Sequence, residues 1–168
     1  KNLCDSAPLW FILNANERGF KMKQTIMLCA GGTGGHMFPA LSLAQDLIAR
    51  GYNVVMVTDN RAEKYTHGFD GLKVHVISSS TLPSGLLGKI KGAYFLAKGY
   101  MQSRKLIGQY KPSICVGFGG YPSLPPMIVA QRKDILTLIH EANATLGKAN
   151  AYLAPNAERI ALSLPDTS

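Results

Sequence analysis

Long hydrophobic runs and metal-binding patterns are missing from this sequence of 168 residues. No stretch approaches the ~20 unbroken apolar residues of a membrane-spanning helix, so we expect no such span. The three cysteines are an odd number without metal-ligand spacing. Two of them, Cys29 and Cys115, lie in apolar runs, which predicts buried thiols in a reducing compartment. No D-x-D pair occurs, and no residue pattern requires a metal ion or another cofactor.

Acidic residues are absent from one long stretch of the chain. Residues 71–133 contain nine Lys or Arg and no Asp or Glu, whereas the formal charge of the whole chain is +8. The excess of positive charge therefore lies in this stretch, which should meet phospholipid head groups, nucleic acid or a phosphorylated substrate. The length and the 46% of apolar residues are typical of one compact globular domain.

Strand-like and helix-like segments alternate from Gln24 onward. The patterns predict strands at 25–30, 52–58, 74–77, 113–117, 135–139 and 159–162. They predict helices at 85–109, 122–131 and 145–153, and an earlier helix with Pro39 in its first turn and Gly51 at its end. This alternation indicates a Rossmann-like doubly wound α/β fold with a parallel sheet, in which ligands bind beyond the carboxyl ends of the strands. Because Met22 resembles a natural start, residues 1–21 are expected to be an extension that adds little to function.

The first predicted strand runs into a glycine-rich loop, Gly31-Gly32-Thr33-Gly34-Gly35, which is followed by His36. Glycines allow close approach of the backbone to a ligand, and the N-terminus of the following helix favours a phosphate or pyrophosphate. The spacing is not G-x-G-x-x-G, and there is no Walker lysine, so a tight turn without a ligand is the alternative. His36 favours a ligand site because an imidazole can accept a proton from a hydroxyl at neutral pH.

Two further segments follow predicted strands. The first, GFGGYPS at 117–123, repeats the combination of glycines, turn and helix, so the two loops together can hold a diphosphate; an ordinary turn is the alternative. The second, HEAN at 140–143, makes Glu141 and Asn143 candidates to contact substrate, because polar side chains after an apolar strand are costly unless they cap or bind. The alternative is that Asn143 caps the next helix while Glu141 pairs with a base.

The long predicted helix at 85–109 has an apolar surface too broad for one packing stripe. Lysines recur every seven residues along one side of it, which is typical of a helix at an anionic membrane interface. A solvated charged face over a core helix is the alternative. Nucleic acid is not expected, because the aromatic residues form no stacking platform and no base-reading motif occurs. The membrane-facing residues predicted here are Leu87, Ile90, Lys91, Tyr94, Lys98 and Lys105.

Three segments together resemble the N-terminal domain of the MurG family of bacterial GT-B glycosyltransferases: AGGTGGHMFPALSLAQDLIARGYNVVMVT, KPSICVGFGGYPSLPPMIVA and HEANATLGKAN. The resemblance runs from about Met22 to the end of the sequence. It implies an inverting transfer of N-acetylglucosamine from UDP-N-acetylglucosamine to the C4 hydroxyl of lipid I, undecaprenyl-pyrophosphoryl-N-acetylmuramyl-pentapeptide. The product, lipid II, serves peptidoglycan synthesis, and the enzyme acts peripherally at the cytoplasmic face of the plasma membrane.

The resemblance also implies roles for individual residues and partners. His36 is the base or its assistant, and Glu141 is a catalytic residue of the same acceptor pocket. The helix at 85–109 corresponds to the membrane-facing region of the family. The implied partners are lipid I, the anionic membrane and a donor-binding domain. The implied substrate contacts are Thr33, Gly34, Gly35, Gly119, Gly120, Tyr121 and Asn143.

The sequence departs from the family pattern in two places. Ala142 stands where the family usually has Gln, so a side-chain contact with the sugar is expected to be missing. The sequence ends at Ser168, so residues 22–168 are expected to form the acceptor- and membrane-binding domain, without the donor domain and inactive alone. Two alternatives stay open: a nucleotide-binding Rossmann module, for which Asp59 follows the loop at the ribose-binding distance, and the membrane-bound acceptor subunit of a split glycosyltransferase.

Overall fold

The computed structural model describes residues 24–62, 65–66, 68–79, 85–164 and 167, so the predicted extension at 1–21 and Met22 lie outside the described residues. In the described part, six strands form one parallel sheet in the order β3-β2-β1-β4-β5-β6. This order confirms the predicted Rossmann-like doubly wound fold. The strands are β1 (Thr25–Cys29), β2 (Asn53–Thr58), β3 (Lys73–Val76), β4 (Ile114–Gly117), β5 (Leu136–Glu141) and β6 (Arg159–Leu162).

Helices alternate with these strands along the chain. Short 3-10 turns at Tyr121–Ser123 and Ala154–Asn156 precede the third helix and follow the fourth. Within the described residues, no helix is both long enough and apolar enough to cross a membrane. The α-helices are α1 (Gly34–Ala49), α2 (Leu86–Tyr110), α3 (Leu124–Arg132) and α4 (Lys148–Leu153).

The alternation of side chains along β1 supplies two cores, one on each face of the sheet. Ile26 and Leu28 are buried in the core that contains the apolar residues of α1. Met27 is buried on the opposite face, together with Ile107 of α2 and Met127 of α3. Full burial of each such side chain contributes about 1.5–3 kcal/mol. Helices therefore cover both faces, which explains why the central strands are continuous apolar runs.

The two cysteines in the described part of the chain are buried free thiols on the second of these faces, as the sequence predicted. Burial raises the pKa of Cys115 to about 12. Burial also raises the pKa of Cys29, and the neighbouring Cys115 raises it further. Both thiols therefore stay protonated at neutral pH and behave as small apolar side chains.

The centre of the sheet is the point from which the chain runs outward in two directions. β1 is followed by β2 and β3 on one side, and its neighbour β4 is followed by β5 and β6 on the other. In doubly wound sheets ligands bind in the crevice at this switch point, beyond the carboxyl ends of the strands. The segments that follow β1 and β4 are the two glycine-rich loops singled out in the sequence. The topology therefore brings them to one place.

Several predicted boundaries are wrong. α1 begins at Gly34, so Pro39 lies inside the helix rather than in its first turn. The start was missed because the residues at 34–36 have no apolar spacing. α3 begins at Leu124, after a 3-10 turn, and α4 begins at Lys148 instead of residue 145. β5 continues beyond residue 139 to Glu141, so polar residues predicted to follow the strand form its last two positions.

Candidate functional site

The two glycine-rich loops contact each other through their backbones. Loop 1 (residues 30–35) follows β1, and loop 2 (residues 118–123) follows β4. A Cβ at Gly120 would lie 2.9 Å from the carbonyl oxygen of Gly31, and a Cβ at Gly31 would collide with the Pro122 ring. Gly119 and Gly120 have φ angles of +91° and +78°, a region that favours glycine. The loops therefore meet at one edge of the sheet, and the close approach depends on glycine.

Loop 1 leads into the N-terminus of α1. Thr33 is the N-cap residue, but its side chain makes no capping hydrogen bond. The backbone N–H groups of Gly34 and Gly35 have no hydrogen-bond partner among the described residues. Unpaired N–H groups and the dipole of a 16-residue helix favour a negatively charged group at this end. This arrangement has the chemistry of a phosphate-binding turn.

His36 lies between the two loops. Its Nδ1 is 3.2 Å from the carbonyl oxygen of Gly31 and 3.1 Å from Oγ1 of Thr33. Because a carbonyl oxygen can only accept, the bond to Gly31 assigns the ring proton to Nδ1. A Cβ at Gly119 would lie 3.0 Å from the opposite nitrogen, Nε2. In the neutral ring Nε2 then holds the lone pair, which is what a general base requires.

A second histidine, His140, adjoins this site at the end of β5. Its Nε2 lies 3.1 Å from Oγ of Ser163, and its ring packs on Phe118 of loop 2 with a centroid distance of 5.3 Å. Burial lowers the pKa of His140, Glu141 acts in the opposite direction, and the neighbouring His36 lowers it further. His140 is therefore neutral at pH 7. In the sequence, the feature that pointed to His140 was its position in the HEAN segment.

Glu141 is a buried carboxylate with four hydrogen-bond donors. Oε1 accepts from the backbone N–H of Asn143 at 3.0 Å and from its side-chain amide at 2.6 Å. Oε2 accepts from the N–H of Gly147 and from the amide of Asn150, both at 2.9 Å. Burial alone would raise the pKa of Glu141, but the four bonds outweigh it and the pKa is lowered. The predicted pairing with a base is wrong, since no ion pair reaches Glu141 from any described residue.

Asn143 is exposed and is oriented by Glu141. The prediction that it caps the next helix is wrong, because α4 begins at Lys148 with Gly147 as its N-cap. The side-chain amide of Asn143 donates to Glu141, while its Oδ1 has no partner in the described part of the chain. The catalytic role of Glu141 stays a prediction. Its hydrogen bonds favour a positioning role, in which it holds Asn143 and the segment that leads to α4.

Arg61 contacts loop 1 from the side of β2, and no sequence pattern points to it. A Cβ at Gly32 would lie 3.2 Å from Nη2 of Arg61. Nε and Nη2 of Arg61 donate to Oδ2 of Asp59 at 2.8 and 2.7 Å, and the backbone N–H of Arg61 donates to Oδ1 at 3.1 Å. Both carboxylate oxygens of Asp59 are therefore engaged. This geometry counts against a nucleotide-binding module in which Asp59 holds a ribose.

The exposed side of α2 carries the predicted combination of apolar and basic residues. Leu87 is 84% exposed, Ile90 59% and Tyr94 62%. α2 follows the carboxyl end of β3, so its N-terminal half lies at the same edge of the sheet as the two loops. The predicted exposure is confirmed, while contact with a membrane stays a prediction. This surface, called the α2 patch below, consists of Leu87, Ile90, Lys91, Tyr94, Lys98 and Lys105.

Substitution of Glu141 by Gln tests the role of the buried carboxylate in the fold. We expect the free energy of unfolding at pH 7 to fall by about 1–3 kcal/mol, because an amide nitrogen would face donors that now bind Oε2. Urea unfolding of the full chain measures this change. Glu158→Gln, at an exposed position, is the matched control and should be near neutral.

The same pair of variants has a signature in the pH dependence of stability. The pKa of Glu141 is lowered on folding from an ordinary value of 4.5, so its contribution is present above that pH. It is lost as the pH falls through the folded-state pKa. The Glu141→Gln chain should lack this part of the acid destabilisation, whereas Glu158→Gln should keep it. Equal stability and equal pH profiles for the two variants would contradict the role assigned to Glu141.

Comparison with known proteins gives consistent matches. A family model described as the glycosyltransferase family 28 N-terminal domain matches residues 26–162. The chain is 47% identical over 140 residues to the UDP-N-acetylglucosamine–N-acetylmuramyl-(pentapeptide) pyrophosphoryl-undecaprenol N-acetylglucosamine transferase of Allorhizobium ampelinum, over 83% of this chain and 38% of that protein. It is 48% identical over 141 residues to the protein of the same name from Rhodospirillum centenum, over 84% of this chain and 37% of that protein.

A solved structure agrees with these sequence matches. The crystal structure of Acinetobacter baumannii MurG superposes with a TM-score of 0.73 at 28% identity, over 86% of this chain and 42% of that one. The chain thus spans less than half the length of the proteins that it matches. The family match covers both glycine-rich loops, His36 and Glu141. The chain therefore belongs to glycosyltransferase family 28 and carries the N-terminal domain of that family.

Proposed function

We propose that this chain is the acceptor-binding half of an inverting N-acetylglucosaminyltransferase of peptidoglycan synthesis. The observation that carries the proposal is the meeting of loops 1 and 2 at the switch point of the sheet, with His36 between them. The names of the relatives supply the substrates, a UDP-N-acetylglucosamine donor and an N-acetylmuramyl-(pentapeptide) pyrophosphoryl-undecaprenol acceptor. A donor-binding domain, in the same chain or in a second one, completes the reaction.

In the proposed reaction His36 activates the acceptor hydroxyl. Nε2 takes the proton as the hydroxyl oxygen attacks the anomeric carbon of N-acetylglucosamine, and the bond from that carbon to the UDP oxygen breaks with inversion. The Nδ1–H of the imidazolium that forms remains bound to the carbonyl oxygen of Gly31, which stabilises the new positive charge. Oγ1 of Thr33, at 3.1 Å, supports the same ring orientation.

The pyrophosphate of the acceptor binds at the edge formed by the two loops. The N–H groups of Gly34 and Gly35 and the N-terminus of α1 supply positive potential there, so the proposed binding of this group uses backbone dipoles without a metal ion. Gly119 and Gly120 of loop 2 lie beside the His36 ring, and they are proposed to line the same site together with Tyr121. Asn143, held by Glu141, is proposed to contact the donor sugar.

The α2 patch is proposed to place this site against the lipid that carries the acceptor. Its apolar residues are exposed at the edge of the sheet where the loops lie, and its lysines add about 1 kcal/mol each at an anionic surface. The proposed location is the cytoplasmic face of the bacterial plasma membrane, with peripheral attachment through α2. A membrane-anchored acceptor would then reach loops 1 and 2 without leaving the bilayer surface.

Acceptor binding by the full chain tests the proposed function. We expect a short-chain analogue of lipid I to bind, measured by isothermal titration calorimetry in detergent, and NAD not to bind. Gly120→Ala should weaken binding of the analogue about 10-fold or more, because its Cβ would lie 2.9 Å from the carbonyl oxygen of Gly31 at a φ of +78°.

Gly108→Ala is the matched control for this substitution. Gly108 is exposed in α2, and a Cβ there would meet no atom within 4 Å. Affinity should therefore be unchanged, and stability should rise by about 0.5–1 kcal/mol. Binding of NAD without binding of the lipid I analogue would overturn the proposal and favour the nucleotide-binding module.

A further inference from the structure

We propose that Arg61 is the cationic side chain that binds the diphosphate group of the substrate at loop 1, and that Asp59 is the positioning residue that holds it there. This inference rests on the proposed function, which supplies a diphosphate, and it deepens that function by assigning a charge that the glycine loops themselves lack. The residues at 117–123 and 30–35 include no Lys or Arg.

The guanidinium of Arg61 is held in place by a buried carboxylate. Asp59 is 4% exposed at the end of β2, whereas the Arg61 side chain is 56% exposed. Two side-chain N–H groups of Arg61 bind one oxygen of Asp59, and its backbone N–H binds the other. A further bond, from the N–H of Ala62 to the carbonyl oxygen of Asp59 at 3.1 Å, closes the turn. The Arg61 side chain therefore loses little rotamer entropy when it binds a ligand.

The part of the guanidinium that Asp59 does not use remains available to a ligand. Nη1 of Arg61 makes no hydrogen bond within the described part of the chain, and its position is 4.0 Å from that of a Cβ at Gly32. The planar array of N–H groups in arginine matches two phosphate oxygens at once. Gly32 has a φ of +82°, and any larger residue there would press on Arg61. Glycine at this position thus admits both the turn and the guanidinium.

The distribution of charge supports this assignment. In residues 24–62, Arg50 and Arg61 are the two Lys or Arg residues. Arg50 bonds Asp46 at 2.8 Å near the C-terminal end of α1, which lies at the opposite edge of the sheet. Arg61 is therefore the basic residue of this segment that lies at the loop. The Arg61–Asp59 pair has no net charge when seen from a distance, so Arg61 acts by direct hydrogen bonds rather than by long-range attraction.

Inorganic pyrophosphate is the probe for this inference, titrated calorimetrically into the full chain. We expect Arg61→Gln to raise the Kd for pyrophosphate about 10-fold or more, and Arg61→Lys to give an intermediate Kd because charge is kept without the fork. Arg50→Gln is the matched control, since it also breaks an arginine–aspartate pair, and should stay within about twofold of the parent. Urea unfolding of each variant verifies that it is folded.

Competition experiments identify the source of the diphosphate. Displacement of pyrophosphate by the short-chain lipid I analogue assigns Arg61 to the acceptor, and displacement by UDP-N-acetylglucosamine assigns it to the donor. Asp59→Asn should also raise the Kd for pyrophosphate, because it frees the guanidinium from its carboxylate.

Two results would overturn the assignment of Arg61: equal Kd values for the parent and Arg61→Gln, or no binding of pyrophosphate to the parent. Loss of pyrophosphate binding in Arg61→Gln without any binding of the lipid I analogue would instead overturn the proposed function and leave the diphosphate site in place. The two failures are therefore distinguishable.

Discussion

His36→Ala is expected to lower the rate of sugar transfer by about 10²-fold or more, the usual contribution of a general base. The assay combines the full chain with a separately supplied donor domain of a relative, lipid I and labelled UDP-N-acetylglucosamine, and follows label in the lipid product. The loss should fall mainly on kcat, because the loops proposed to hold the pyrophosphate stay in place. The physical reason is the lone pair of Nε2, which the bond from Nδ1 to Gly31 leaves unprotonated in the neutral ring.

Two further substitutions make this result specific. Thr33→Val keeps the imidazole but removes the hydroxyl 3.1 Å from Nδ1, so its effect should be much smaller. His75→Ala is a control for the loss of a histidine, since His75 lies in edge strand β3 and its Nε2 is 2.8 Å from the hydroxyl of Tyr110. Full transfer by the His36→Ala chain would show that His36 is a loop residue without a part in proton transfer.

Replacement of Lys91, Lys98 and Lys105 by Glu is expected to lower partition onto anionic vesicles by about two orders of magnitude or more. Three lysines at about 1 kcal/mol each amount to ~3 kcal/mol, and every 1.4 kcal/mol is about tenfold. Co-sedimentation of the full chain with phosphatidylglycerol vesicles at about 0.1 M salt measures the change, since screening is still moderate there.

A second triple substitution separates the α2 patch from net charge. Lys73, Lys111 and Lys133 are exposed and lie at the opposite edge of the sheet, next to the N-terminal ends of β3, β4 and β5. Their replacement by Glu changes the net charge equally but should leave most of the vesicle binding intact. Equal losses in the two triple variants would assign binding to overall charge and contradict a membrane-facing α2 patch.

The strands and the doubly wound fold class could be predicted because the sequence contains the physical cause directly. Central strands covered on both faces are continuous apolar runs. The weaker pattern at 159–162 coincides with the edge strand β6. The end of β5 could not be predicted in this way. His140 and Glu141 are polar, and they continue the strand because donors from the segment 143–150 satisfy the carboxylate. Those donors come together only in the folded chain.

The candidate site also has one part that could be predicted from the sequence and one part that could not. Both glycine-rich loops and His36 are visible as local clusters, and the fold brings them together as expected. Arg61 is not visible, because its contact with Gly32 depends on the turn after β2 lying beside the loop after β1. The separation of Gly32 and Arg61 along the sequence does not indicate that the two residues are in contact. Contacts between residues that follow neighbouring strands are the part of a site that local sequence patterns do not predict.

The backbone contact between loops 1 and 2 has a mechanical consequence. Gly120 abuts the carbonyl oxygen of Gly31, and Pro122 rests on the same glycine, so neither segment has room to shift toward its neighbour. The two loops therefore form the floor of the crevice in direct contact with each other. A ligand that binds at this floor therefore has to fit the two loops as they are.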